Sequence, residues 1–150
     1  MENYLRVKKL RPAALIPARS TGGSAGYDLT ACLESPLLLP ARERVPVPTG
    51  LAIEIPAGTV ALVFGRSGLG IRHGVAPSNA VGVIDSDYRG EIVVGLSNSS
   101  DTDYTILPGE RIAQLVLTPI LTPAVEECET LSETARGAAG FGSTGRCLLI

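Results

Sequence analysis

A chain of 150 residues is long enough for one domain around a single buried core. Its 13 basic and 15 acidic residues leave a net charge of −2, so it offers neither a broad basic face for nucleic acid nor an acidic block. Aromatics at 4% argue against stacking platforms for single strands, and one histidine (His73) with three scattered cysteines (Cys32, Cys128, Cys147) gives little material for a zinc site, a His-based triad or a disulfide framework.

In chain order, MENYLRVKKLRPAAL lacks the long apolar run of a signal peptide. No later run approaches the ~20 apolar residues of a membrane span. The expectation is a cytoplasmic protein with no membrane and no nucleic-acid partner. The 17 glycines and 11 prolines are spread along the chain and read as punctuation. Between them lie short apolar, often β-branched runs: LLL at 37–39, VPVPTGLAIEI at 45–55, TVALVF at 59–64, EIVVGL at 91–96, YTIL at 104–107 and RIAQLVL at 111–117. Many short strands separated by turns point to an antiparallel all-β sandwich or barrel. Ser67–Arg72 can form one helical turn with Ser67 as its cap. His73 reads as a turn or surface residue. The last ~15 residues turn polar and Gly-rich, as chain ends outside a core do.

Four stretches hold polar groups in apolar surroundings. SAGYDLTA sets Asp28 among apolar neighbours, where a structural ion pair would explain it. GRSGLG places Arg66 and Ser67 between glycines, either as a turn or as a donor set for a phosphate. NAVGVIDSDYRGEIVV clusters Asp85, Asp87, Tyr88, Arg89 and Glu91. This is either a solvated hairpin turn or a carboxylate aimed into a cleft, where it could act as a general base on water. PGERIAQL stands Gln114 among apolar residues, where it needs a partner such as a cross-strand backbone group. A fifth stretch, RGAAGFGSTG at 136–145, has four glycines in ten residues, with one Arg and one Phe.

AGYDL, RSG, GVIDSDYRG, GERIAQL and RGAAGFGSTG, in this order, resemble the five ordered motifs of the trimeric dUTPase family. The resemblance runs from residue 25 to 145. It implies a jelly-roll-like β-barrel over 1–135 and a flexible C-terminal lid over 136–150. It also implies a homotrimer whose active sites are shared between subunits. The implied reaction is hydrolysis of dUTP to dUMP and pyrophosphate with Mg²⁺, which keeps uracil out of DNA and supplies a thymidylate precursor.

The resemblance also assigns roles. Asp85 would activate the water that attacks the α-phosphorus, and Tyr88 would exclude a 2′-hydroxyl. Asn79, helped by backbone groups of Gly82, Val83 and Ile84, would read uracil. Arg66, Ser67, Gly68 and Gln114 would contact phosphates. Asp28 would support the metal's water shell, with Mg²⁺ held by phosphates and water and no direct protein ligand. In the lid, Phe141 would stack on the base, Arg136 would reach the γ-phosphate, and Gly142, Ser143 and Thr144 would close around the phosphates. Ala139 departs from the family's RGxGGFG pattern and would cost ~1 kcal/mol or more if that position needs φ > 0. Gly65 stands where Pro is usual, which suggests a looser strand end, and Gly70 stands where Ala is common. The competing readings are a dCTP deaminase, which shares this fold, and a trimeric nucleotide sensor that has lost hydrolysis. Tyr88 in DYRG and the full fifth motif oppose the first. Asp85 and Arg136 oppose the second.

Overall fold

The structure is a computed structural model that describes residues 4–140. Eleven strands and one short helix follow in order: β1 (Arg6–Lys9), β2 (Tyr27–Thr30), β3 (Leu37–Leu39), β4 (Arg44–Pro48), β5 (Leu51–Glu54), β6 (Thr59–Phe64), α1 (Ser67–His73), β7 (Val75–Pro77), β8 (Gly82–Ile84), β9 (Val93–Asn98), β10 (Tyr104–Ile106) and β11 (Arg111–Pro119). All pairs are antiparallel. They form four sheets: β1-β5, β10-β3, β2-β11-β6-β8 and β4-β9-β7. The arrangement is all-β and jelly-roll-like, and the pairing closes no barrel among the described residues.

The inward faces explain the elements. In β9 every second residue points inward, burying Val94, Leu96 and Asn98, as a half-buried strand requires. Leu29, Leu39, Val47, Ile53, Leu96, Ile106, Ile112 and Leu115 meet in one core built from all four sheets. Asn98 is satisfied there by the carbonyls of Leu39 and Thr102, at 3.3 and 2.8 Å.

The apolar runs at 37–39 and 59–64 are β3 and β6. The single run read at 45–55 is two strands, because the chain turns at Thr49–Gly50. Gly50 has φ +68°, and a Cβ there would come within 2.8 Å of Ala14 and Cys32. The helix begins one residue earlier than a Ser67 cap requires. Arg66 is the extended residue at the cap position, and its carbonyl accepts from the Gly70 amide at 3.0 Å. No side chain caps this end, and Ser67 is the first helical residue. His73 is exposed at the other end, with its ring 4.9 Å from that of Tyr104.

Residues 120–140 form no strand, and every one is exposed. Leu121, Val125 and Leu131 lie nearly or fully open on this stretch. Among the described residues no helix is long and apolar enough to cross a membrane.

Candidate active site

Two clefts collect most of the polar groups singled out in the sequence. The first, of about 450 Å³, is lined by Asn79, Gly82, Val83, Ile84, Asp85 and Tyr88, together with Val63, Glu91 and residues of β9. The second, of about 300 Å³, is lined by Ser20, Ser24, Gly26, Asp28, Arg66, Ser67, Gly68 and Gln114. They share no lining residue.

The first cleft is built on β8. This short strand pairs with β6, setting Gly82 opposite Val63 and Ile84 opposite Ala61. Asn79 precedes it through a tight turn in which Ala80, a non-glycine residue, takes φ +63°. A left-handed alanine stores strain and persists only where its surroundings hold it. Asp85 follows β8 directly and is exposed.

β9 pairs with β4 and β7, not with β8. The DYRG segment is therefore a passage between two sheets, which overturns the plain-hairpin reading. Tyr88 is 46% exposed, and its hydroxyl donates to the Glu91 carbonyl at 3.0 Å. The Glu91 carboxylate accepts from the Gly50 amide at 2.9 Å and from Arg11 at 3.3 Å. This ties the end of the segment to the opposite loop. Arg89 folds back on the carbonyls of Ser86 and Tyr88 and lies 3.7 Å from Glu54.

The second cleft centres on Asp28. Its Oδ1 is 3.3 Å from Arg66 Nε, and its Oδ2 is 3.1 Å from Arg111 and accepts from Ser20 at 2.7 Å. Burial works against the charged carboxylate, but the Ser20 and Arg111 hydrogen bonds and the two guanidinium charges outweigh it. They hold the Asp28 carboxyl below its ordinary value. The ion-pair reading of Asp28 is thus what the structure contains. Gln114 donates to the Gly65 carbonyl at 3.0 Å, the cross-strand backbone bond expected of a polar residue there. Ser20 and Arg111 had no signal of their own in the sequence, and Glu91 stood in the polar cluster without a partner assigned. Their contacts span 8, 83 and 41 residues.

Arg136 lines neither cleft; it donates to the Ala139 carbonyl at 2.9 Å. The left-handed residue of that segment is Gly137, at φ +53°, and Ala139 is not left-handed. The condition for strain at Ala139 is therefore not met here. Gly65 is closely backed, since a Cβ on it would lie 3.1 Å from Pro77 Cδ. Phe141, Gly142, Ser143 and Thr144 lie outside the described residues. Among the described residues no group of three or more His, Cys, Asp or Glu side chains could hold a metal.

A family model for dUTPase matches residues 13–145 of this chain. The chain belongs to the dUTPase family. A deoxyuridine 5′-triphosphate nucleotidohydrolase of Oryza sativa subsp. japonica is 50% identical over 94% of this chain and 80% of its own length. One from Burkholderia cenocepacia is 45% identical over 97% of this chain and 99% of its own. Among solved structures, the dUTPase of Staphylococcus bacteriophage 80alpha with dUPNHPP superposes with a TM-score of 0.88 at 31% identity, covering 96% of this chain and 99% of that one. A mutant dUTPase from phage phi11 of S. aureus, described for its coordination of a structural Mg(II) ion, gives a TM-score of 0.78 at 27% identity over 85% and 98%. The family match over residues 13–145 spans the lining residues of both clefts.

Proposed function

We propose that the chain hydrolyses dUTP to dUMP and pyrophosphate with Mg²⁺, in the cytoplasm, and so limits uracil in DNA and supplies dUMP for thymidylate. The observation that carries this reading is the gathering of Asn79, Gly82–Ile84, Asp85 and Tyr88 in one cleft of nucleoside size. In that cleft the Asn79 amide and the β8 backbone would pair with the uracil edge. Cytosine reverses the donor and acceptor there, and mispaired buried groups reject it. The half-fixed Tyr88 ring would fill the space of a 2′-hydroxyl. Asp85, exposed at the end of β8, would take the proton of the attacking water.

Arg66, Ser67, Gly68 and Gln114 would bind the phosphates in the second cleft. The donor set suits a metal held by the substrate rather than by the protein. Among the described residues Asp28 is the only carboxylate lining this cleft, and two guanidiniums already engage it. Residues that bind the triphosphate would hold Mg²⁺ through it, with Asp28 facing the metal's water. When bound, the metal offsets negative charge on the phosphates. Arg66 adds to that offset as charge moves toward the leaving pyrophosphate.

Two separate clefts on one chain support a site completed by other copies, in a homotrimer. The open apolar side chains Leu121, Val125 and Leu131 support the same arrangement, since none of the described residues covers them. Residues 1–135 would form the body. Residues 136–150 would form a lid in which Arg136, Phe141, Gly142, Ser143 and Thr144 close over the nucleotide. The test is a panel of dUTP, UTP, dTTP and dCTP with pyrophosphate as the readout. Release from dUTP alone supports the reading. Ammonia from dCTP, or no turnover of dUTP, overturns it.

A further inference from the structure

Arg111 opens β11, and an unbroken ladder would aim it away from Asp28. Gln114 stands opposite Asp28 and Ala113 opposite Leu29. Continued without interruption, this register would set Ile112 opposite Thr30. Instead Arg111 stands opposite Thr30, with a register shift between Arg111 and Ala113. Ile112 is therefore the extra residue of a β-bulge. Side chains alternate faces along a strand, so Thr30 shares a face with Asp28. The bulge turns Arg111 onto that face, while Ile112 and Ala113 both go into the core. Bulges commonly re-aim a side chain in this way beside active sites.

On that face Arg111 Nη1 donates to Asp28 Oδ2 and to Ser20 Oγ, each at 3.1 Å. The other carboxylate oxygen faces Arg66 Nε at 3.3 Å. Arg66 Nη1 also donates to the main-chain carbonyl of Arg111 at 3.3 Å. Arg66 lines the cleft and Arg111 does not.

We propose that Arg111 is a positioning residue for the phosphate half-site. By occupying one oxygen of Asp28 it leaves only the other to Arg66, and so fixes where Arg66 presents its guanidinium. Two guanidiniums around one carboxylate also leave the cluster with one net positive charge. Without Arg111, Asp28 is free to take Arg66 in a two-pronged pair, the preferred geometry of carboxylate and guanidinium. That pair draws Arg66 from the cleft and cancels its charge. The proposal rests on the reading of Arg66 as a phosphate contact.

The experiment is a double-mutant cycle in the full chain, reading kcat and KM for dUTP. Arg111→Ala raises KM roughly 10-fold, the scale of one charge-assisted contact. Arg111→Lys, which keeps the charge beside Asp28, recovers most of that loss. Because Arg111 acts through Arg66, adding Arg111→Ala to Arg66→Ala changes KM by no more than about 2-fold. If the two effects multiply instead, Arg111 acts on its own and the proposal is overturned. Unchanged kinetics in Arg111→Ala overturn it as well. Where Arg111→Ala lowers the melting temperature into the assay range, Arg111→Gln takes its place in the cycle under the same criteria. A wild type that does not turn over dUTP fails the proposed reaction but not this linkage. The same cycle is then read from calorimetric binding of inorganic triphosphate, with the same non-additivity required.

Discussion

Tyr88 lies over Gly90. A Cβ built on Gly90 would fall 2.6 Å from the ring carbon that bears the Tyr88 hydroxyl, and it would also meet the hydroxyl itself. Backbone below and the Glu91 carbonyl at the tip thus hold the ring. Gly90→Ala displaces it without removing it. The ratio of kcat/KM for dUTP over UTP should fall in this variant, and fall further in Tyr88→Ala. A fall in both rates with an unchanged ratio in Tyr88→Ala would show that the ring does not exclude the 2′-hydroxyl.

Asp85→Asn keeps the shape of the first cleft and removes its base. Turnover of dUTP should drop roughly 10²–10⁴-fold in kcat, the usual loss for one general base. Binding of a non-hydrolysable dUTP analogue, measured by calorimetry, should change little. Near-normal turnover would remove Asp85 from that role.

Tyr104 gives a stability signature in alkali. Burial, then its hydrogen bond to and the charge of Glu110, push its hydroxyl up to about 12 from the usual 10.0. The folded state therefore holds this proton more tightly than the unfolded chain does. Its contribution is fully present below pH ~10 and is lost as pH rises through about 12. Melting temperature should decline across that window in the wild type, and more shallowly in Tyr104→Phe. Parallel declines would show that the Tyr104–Glu110 contact is not maintained in solution.

Strands with strong local patterns were legible in the sequence. LLL at 37–39 and TVALVF at 59–64 are apolar, β-rich and bounded by turn residues. β1 was not, because RVKK is mostly polar and exposed and pairs with β5 some 45 residues away. β7 (VAP) and β8 (GVI) are three-residue strands whose pairing is decided by the fold around them. Within the site, Asn79, Asp85 and Tyr88 meet partly because they are close in sequence. Asp28, Arg66 and Arg111 meet only through strand register and a one-residue bulge, which composition does not encode. Ser67 is not the helix cap, because Arg66 takes that position while its side chain is held by Asp28.

In the proposed trimer the nucleoside cleft of one copy works with the phosphate cleft of another. The direct test mixes two impaired proteins, Asp85→Asn and Arg66→Ala, unfolded and refolded together in equal amounts and assayed at dUTP well below the KM of Arg66→Ala, with mixed assemblies verified by mass spectrometry. A complete site needs Asp85 from one kind of chain and Arg66 from the other, so random assembly into closed trimers should restore about a quarter of wild-type dUTP turnover. Mixed trimers that form and stay inactive would contradict the shared site, and with it the pairing of the two clefts across copies.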